Sequence, residues 1–565
     1  MTPHDLIAAF EAVAEAPDGT MRLRELILQL AVRGKLVEQD PEDEPGSELL
    51  ERIAREHSRR VGTGKRARSR TNSPATCEYS PFAIPGSWSW THLGAITHDL
   101  GQTVPARSFS YIDVGAIDNA RGAIVEPLAI IDPADAPSRA RKLVQPGTVI
   151  YSTVRPYLQN IAVVERAYSP MPIASTAFAV LHPHEGVDAR LLFYWLRSPF
   201  FTSVVAQQMK GIAYPAINDA SLLNAAVPLP PVAEQHRIVA RVDELMRLLD
   251  RLDAAQSLRA TTRAAARDST LASLRQASTP EEIDVAWNRL AERLDELLVD
   301  PVDIVPLRHT VLQLAVRGRL VPQDPADEPA NLLLERIAAE RSRLVRTGAG
   351  RRRSTSPLAA EPVALPTLPS GWSWSTAQAL TEPGCDITYG ILKPVWVDSG
   401  VPTVRVTEMK SGEIDVSTLR RCDPKREAKF SKTRLTDGDL LVSKDGTIGK
   451  TAFVPAVLAG GNITQHVLRF SVSHLLNRRF VRVAVDSPMC QDWMTGETKG
   501  VALQGVNVND FRRMPVPVPP LAEQHRIVAR VDELMGLLDR LEQRLAAAER
   551  TRAAFARAAV HDLDV

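Results

Sequence analysis

Apolar residues recur at alternating intervals of three and four in two long polar stretches of the chain. Arg, Asp and Glu occupy most of the positions between them. This spacing predicts two long helices, each with a narrow apolar seam that suits a partner helix in a coiled coil. The predicted seam residues are Ile238, Val242, Leu245, Leu249 and Leu252 in the first stretch, and Ile527, Val531, Leu534, Leu538 and Leu541 in the second.

Shorter patterns predict further elements. Leu23, Leu26 and Ile27 indicate a short amphipathic helix that Gly34 ends, and a second helix follows at residues 49–53. Other segments carry short apolar or alternating runs bounded by Gly, Pro and Asp, which are typical of strands. These are AIVEPLAII (123–131), GTVIYSTV (147–154), GVPTVRVTEM (400–409) and GDLLVSK (438–444), with a helical stretch at 190–197 among them. The pattern favours an α+β fold.

Two blocks of the sequence occur twice. Residues 29–61 recur as 313–345 with 24 of 33 positions identical, at an offset of 284. The Trp-Ser-Trp at 88–90 recurs at 372–374 with the same offset. PLPPVAEQHRIVARVDELMRLLDRL at 228–252 recurs at 517–541 with 22 of 25 positions identical, at an offset of 289. The chain is therefore a tandem duplication.

Between these blocks lie two segments, 91–227 and 375–516, which share little beyond short echoes such as KGIAYPAIN and KGVALQGVN. We call them the first and second inserts. A repeated scaffold that carries two divergent inserts is the pattern expected of a protein that recognises two different things with two similar domains.

Composition narrows the class of protein. The 565 residues carry 68 Lys and Arg against 67 Asp and Glu, a net charge of +1 that argues against a uniformly basic protein. The four cysteines are widely separated, which excludes a disulfide scaffold or a Cys-rich zinc module and suits a reducing cytoplasm. We found no signal peptide and no apolar run long enough for a membrane span. We expect a cytoplasmic protein without membrane contact.

The duplicated motifs resemble the specificity (S) subunit of type I restriction–modification systems over essentially the whole chain. The resemblance rests on LPPVAEQHRIVARVDEL and VPPLAEQHRIVARVDEL, on RGKLVEQDPEDEP and RGRLVPQDPADEP, on the Trp-Ser-Trp motifs, and on GDLLVSKDGTIGK. It implies two α/β target-recognition domains that alternate with two long-helix regions. The helices would pack as an antiparallel coiled coil with pseudo-twofold symmetry from the duplication.

The resemblance also implies domain boundaries and partners. The expected parts are an N-terminal helical segment (1–79), recognition domain 1 (80–231), a central helical region and linker (232–365), recognition domain 2 (366–520) and a C-terminal helix (521–565). Expected partners are double-stranded DNA with a bipartite target, two methyltransferase (M) subunits and restriction/translocase (R) subunits. The chain itself would not be an enzyme and would bind no metal or cofactor. S-adenosylmethionine, ATP and Mg²⁺ would belong to the partner subunits.

Reading a base edge takes side chains that offer two matched hydrogen bonds, while phosphate contacts fix position without carrying sequence information. Residues of suitable type occur in loop-like stretches of both inserts. The candidates are Arg107, Arg121, Arg155, Tyr157, Asn160, Lys210, Asn218, Arg405, Arg420, Arg421, Lys444, Lys450, Gln465, His466, Lys499, Gln504 and Asn507. Lys210 of the first insert corresponds to Lys499 of the second, and Asn218 corresponds to Asn507. These four suit phosphate or structural roles, because a shared residue cannot distinguish two sequences.

Two other functions stay open on the residues alone. One is a stand-alone DNA-binding regulator with tandem domains. The other is a nucleotide-binding enzyme that uses KDGTIGKT (444–451), which ends like a phosphate-binding loop but has Lys444 where that loop needs its first glycine. A strand-like pattern before the loop and Pro455 after it favour a hairpin from which Lys444 and Lys450 project toward a nucleic-acid backbone. The first insert lacks the paired glycines of this turn, so we expect its corresponding loop to differ.

Overall fold

The computed structural model describes residues 13–62, 81–209, 215–277, 279–346, 365–410, 412–496 and 505–564. The chain forms two compact units, Met1–Arg259 with Ala548–Val565, and Ala260–Ala547. These units do not coincide with the five-part division expected from the sequence, which stays a prediction. None of the described helices combines the length and apolar character needed to cross a lipid bilayer.

The first unit begins with the two short helices that the sequence predicts, and Gly34 beyond the first of them has a positive φ of 68°. Its helices are α1 (Gly19–Val32), α2 (Gly46–Gly62), α3 (Leu93–Ile96), α4 (Ala189–Arg197), α5 (Pro199–Gln208), α6 (Asp219–Leu223) and the first part of α7 (Val232–Gln276). Its strands are β1 (Ser89–His92), β2 (Thr97–His98), β3 (Phe109–Ile112), β4 (Ile117–Asp118), β5 (Ala123–Ile124), β6 (Ala129–Ile131), β7 (Ala140–Leu143), β8 (Val149–Ser152), β9 (Ile161–Val163), β10 (Pro172–Ser175), β11 (Phe178–Pro183) and β12 (Ala226–Leu229).

The second unit also combines helices with short strands. Its helices are α8 (Pro280–Glu292), α9 (Leu294–Leu297), α10 (Ile304–Val316), α11 (Ala330–Arg346), α12 (Pro424–Glu427), α13 (Arg478–Asp486), α14 (Pro488–Thr495), α15 (Val508–Arg513) and most of α16 (Leu521–Asp564). Its strands are β13 (Ser373–Thr376), β14 (Thr388–Tyr389), β15 (Trp396–Val397), β16 (Val401–Val404), β17 (Met409–Lys410), β18 (Glu413–Ile414), β19 (Arg420–Cys422), β20 (Leu440–Ser443), β21 (Thr451–Phe453), β22 (Asn462–Ile463), β23 (Val467–Phe470) and β24 (Pro515–Val518).

The two inserts share the strand order of one sheet and a parallel strand pair in the other. One four-stranded sheet has the order β2-β11-β8-β9 in the first insert and β14-β23-β20-β21 in the second, with antiparallel neighbours throughout. The other contains one parallel pair in each case, β3 with β10 and β16 with β22. In each half the first strand also pairs with the last, β1 with β12 and β13 with β24. The mixed helix and strand character expected from the sequence is confirmed.

The predicted seam residues lie in the cores of the units. In the first unit, Ile238, Val242 and Leu249 of α7 are buried in one core with Ala556 of α16. In the second unit, Leu271 and Leu274 of α7 belong to a core against which Leu538, Leu541 and Leu545 of α16 pack. Within each unit, residues of α7 therefore share a core with residues of α16. The 45-residue helix α7 fits a coiled coil.

Candidate functional site

A cleft of about 610 Å³ lies in the second insert and gathers several of the predicted DNA-contacting residues. Its lining comes from β15, from the turns after β16 and β22, and from the turn between β20 and β21. The lining residues are Pro394, Trp396, Arg405, Val406, Thr407, Asp445, Gly446, Thr447, Thr464, Gln465 and His466. Arg405, Gln465 and His466 were predicted from the sequence, whereas Trp396, Asp445 and Thr464 were not.

The topology explains why these residues meet. Strands β16 and β22 are parallel, with Val404 paired with Ile463, so Arg405 and Thr464 leave the sheet at the same end. The β20–β21 turn is tied to the same place, because the amide of Lys444 donates to the carbonyl of His466 at 2.9 Å. Residues far apart in the sequence therefore line one cleft.

Arg405 is the most firmly held cation in this cleft. Its Nε donates to Oε1 of Glu408 at 3.0 Å, and its backbone amide donates to Oε2 of the same carboxylate at 2.7 Å. The Glu408 side chain is buried. Trp396 lies beside both Arg405 and Arg420, whose guanidinium carbons are 5.9 Å and 4.6 Å from the ring centre.

A chain of hydrogen bonds forms another wall of the cleft. The side-chain amide of Gln465 lies 2.9 Å from Nε2 of His466, and Nδ1 of His466 lies 2.9 Å from the Asp445 carboxylate. Lys444 donates to the same carboxylate at 2.7 Å. Burial by itself raises the pKa of Asp445, but the hydrogen bonds from Lys444 and His466 outweigh it and the pKa lies below its usual value. The Asp445 carboxylate is therefore held ionised between two donors.

The segment 444–451 is the predicted hairpin turn. It joins β20 to β21, which pair antiparallel with Val442 opposite Thr451, and a strand follows where a phosphate-binding loop would need a helix. Lys450 is exposed. The expectation that Lys444 projects from the turn is wrong, because its amine is folded back onto Asp445 and its side chain is only 19% exposed.

The corresponding loop of the first insert differs, as expected from its missing glycines. Strands β8 and β9 are joined through a 3₁₀ turn at Pro156–Leu158, flanked by Arg155 and Gln159 with positive φ angles of 49° and 51°. Tyr157 and Arg155 are exposed. Asn160 is only 8% exposed, which leaves little of it accessible to a DNA base.

The remaining candidates are spread over both inserts. Arg107, Arg121 and Arg421 are exposed, and Arg121 pairs with Asp118 at 3.8 Å. The side chains of Asn218 and Asn507 cap α6 and α15 by accepting backbone amides at 2.7 Å and 2.9 Å, which confirms the structural role considered for them. Lys210, Lys499 and Gln504 lie outside the described residues.

Residues 398–550 match the family described as the type I restriction modification DNA specificity domain. Over 94% of its length the chain is 27% identical to the type I restriction enzyme EcoEI specificity subunit of Escherichia coli, covering 92% of that protein. The corresponding values for the EcoAI specificity subunit of the same species are 28%, 94% and 92%. The chain is thus similar to type I specificity subunits over nearly its whole length.

The fold agrees with this assignment. A chain from a structure of a type I R-M system, solved to explain complex assembly and conformational transition, matches 86% of this chain with a TM-score of 0.53. The match covers 99% of that chain at 24% sequence identity. Neither the stand-alone regulator nor the nucleotide-binding enzyme is favoured, because the relatives are specificity subunits over almost the full chain.

The motifs that both halves of the chain share have a structural role. Nε1 of Trp88 donates to the buried carboxylate of Glu234 at 2.9 Å, and Trp372 donates to Glu523 at the same distance. Gln39 and Gln323 donate to the second oxygen of each carboxylate. These bonds connect the segment at the start of each insert to the first turn of the long helix that follows it.

The next residue of the motif extends this connection. The side-chain amide of Gln235 donates to the carbonyl of Pro230, and its oxygen accepts the amide of Asp188 before α4. Gln524 makes the same two contacts, with Pro519 and Asn477. Within the described part of the chain, no group of three or more His, Cys, Asp or Glu side chains is arranged to hold a metal ion. The AEQ sequence that recurs at 233–235 and 522–524 is therefore an attachment point within each unit.

Proposed function

We propose that this specificity subunit recognises a bipartite target in double-stranded DNA, with each insert reading one half. The observation that carries the proposal is that the two inserts share the strand order of their antiparallel sheet but differ in the side chains of their turns. Both inserts have the same strand order in their antiparallel sheet and are attached through the same Trp–Glu bond. The turns that follow equivalent strands differ in sequence and in geometry.

Positive charge in the second insert supports contact with a phosphate backbone. The segment 420–434 contains seven basic residues, of which Arg434 is paired with Glu427 and Arg426 donates to the carbonyl of Leu392. The other five, Arg420, Arg421, Lys425, Lys429 and Lys432, are exposed. Exposed cations of this density attract the phosphates of a duplex without distinguishing its sequence.

We assign the chemistry to partner subunits. Two methyltransferase subunits would associate with this chain, and restriction/translocase subunits would join through them. S-adenosylmethionine, ATP and Mg²⁺ would act in those partners. The family resemblance supports this division of labour, since the relatives are themselves named specificity subunits.

An exchange of inserts tests the proposal. Residues 91–227 are replaced by the first insert of another family member, and the chimera is co-expressed with the methyltransferase in a host that lacks it. Methylome sequencing then reports the modified motif. We expect one half of the motif to change and the other half to stay as in the original complex.

A change in both halves, or in neither, would contradict the proposal. Exchanging residues 375–516 serves as the matched control, because it should change only the other half. A second variant lengthens α7 by two helical turns after Leu252. This variant should alter the number of base pairs between the half-sites and leave the bases that are read unchanged.

A further inference from the structure

Arg405 is positioned differently from the exposed cations around it. Besides the bonds from the backbone amide, Nε and Nη2 of Arg405, the buried Glu408 carboxylate accepts the hydroxyl of Thr407 at 2.8 Å. Only 1% of the Glu408 side chain is exposed, against 34% for Arg405. A side chain held by a buried carboxylate loses little freedom when it binds a ligand, which favours directional recognition.

The geometry determines which donors of Arg405 remain. Glu408 takes the Nε and Nη2 side of the guanidinium. An arginine carries five N–H donors in a fixed plane, so the end formed by Nη1 and the second N–H of Nη2 is left over. Arg405 lines the cleft. The two parallel N–H groups of its remaining end match a ligand with two neighbouring acceptors. Guanine presents such a pair, O6 and N7, in the major groove.

The first insert has a different residue at the same topological position. Arg405 follows β16 and begins a 3₁₀ turn at Val406–Glu408, and Asp113 follows β3 and begins a 3₁₀ turn at Val114–Ala116. Both β3 and β16 are partners in the parallel strand pair of their sheet. A guanidinium in one insert and a carboxylate in the other offer opposite hydrogen-bonding character. Such a difference is expected at a position that sets sequence preference.

We propose that Arg405 reads a guanine in the half-site of the second insert, with Glu408 as its positioning residue. The inference rests on the proposed function, because it names one base contact of that recognition. Arg420 shares Trp396 with Arg405 but is exposed, and it pairs with no carboxylate among the residues that the structure describes. It suits a phosphate contact and provides a matched control.

The test uses the full-length chain, purified as the complex formed on co-expression with its methyltransferase, and a library of randomised DNA duplexes. Sequencing of the bound fraction gives the preference at every position of the motif. Arg405→Lys keeps the charge but loses the two-donor end, and Glu408→Gln keeps the shape but weakens the support of Arg405. We expect guanine preference to fall by roughly 5- to 150-fold at one position of one half-site in Arg405→Lys. The fall should be smaller in Glu408→Gln.

The control variant gives a different result. Arg420→Ala should weaken binding to all selected sequences alike and reduce the salt dependence by about one phosphate contact. The half-site of the first insert, measured in the same experiment, should be unchanged in all variants. The other base preferences of the second half-site should persist, which reports that the second insert is folded.

Two outcomes would overturn the inference while leaving the proposed function intact. The first is that the wild type selects a bipartite motif and Arg405→Lys keeps every base preference of it. The second is that Arg405→Lys weakens all sequences equally, as Arg420→Ala does. If the wild-type complex selects no bipartite motif, the proposed function itself fails and the inference fails with it.

Discussion

Removing the carboxylate of Glu523 probes how the second insert is attached to α16. Nε1 of Trp372 donates to this carboxylate, and both residues are buried, at 7% and 1% exposure. Glu523→Ala leaves the indole N–H without an acceptor in a place that water cannot easily reach. Trp372→Phe removes the donor instead, and the double variant removes both groups.

The magnitude follows from the number of donors. An unsatisfied buried donor costs about 1–3 kcal/mol, and a hydrogen bond to a charged group contributes about 1.5–3 kcal/mol. Gln323, the second donor to Glu523, is only partly buried and can turn to solvent. We therefore expect Glu523→Ala to cost about 2 kcal/mol. The double variant should be less destabilised than the sum of the single variants by about 1.5–3 kcal/mol.

Native-state hydrogen exchange of the amides in β13 and β24 measures this free energy locally, which suits a chain with two units better than a global unfolding curve. The first half supplies a replicate, because Trp88 and Glu234 make the same bond at 2.9 Å. Its cycle, read from β1 and β12, should give the same coupling. Strictly additive single and double variants in both halves would refute the role assigned to the bond.

Four further results are expected. Burial raises the pKa of Glu523, so its carboxyl binds a proton more tightly in the folded chain than in the unfolded chain. The folded chain therefore loses stability as the pH rises above 4.5, the usual pKa of a glutamate. Glu523→Gln should remove that loss in pH-dependent hydrogen exchange. The hydrogen bond from Arg434 lowers the pKa of Glu427, so the pH dependence of stability has the opposite sign at this residue. The stabilisation is present above pH 4.5 and disappears on acidification. Glu427→Gln should therefore flatten the acid side of the hydrogen-exchange profile of the second insert. Leu274→Ala should cost about 2–5 kcal/mol of local stability around residues 271–276, measured by the same exchange method, because Leu274 is buried in its core. Lys450→Ala should weaken DNA binding for all sequences in a salt-titrated binding assay. Calorimetry should detect no nucleotide binding by either the wild type or this variant.

The repeated frame could be predicted from the sequence because its patterns are local. Seam spacing placed the long helices, and Gly34 and the short apolar runs placed the first helix and several strands. The roles within the frame were harder to predict. Glu234 and Glu523 stand in the first turn of a helix, where a carboxylate suits the helix dipole, yet the structure buries them against tryptophans. The signal that could have revealed the pairing is that both members recur unchanged in both halves.

The cleft could be predicted only in part, since it depends on a parallel strand pair between residues 401–404 and 462–463. No local pattern indicates which distant strands will pair, so Trp396 and Asp445 were missed as neighbours of His466. Residue type favoured Lys444 as a projecting cation because its partner Asp445 could not be recognised as such. Glu408 was missed because an acidic residue is not expected at a surface for DNA, although its position three residues after Arg405 was a usable signal.

The short ribbon that closes each insert has a genetic consequence. Ser89 lies opposite Leu229 in β1 and β12, and Ser373 lies opposite Val518 in β13 and β24, so the two ends of each insert lie side by side. Two crossovers at the codons for such a strand pair would replace the whole intervening module and leave its carrier intact. A lineage could then acquire a new specificity in one recombination event, without passing through intermediates that fail to fold.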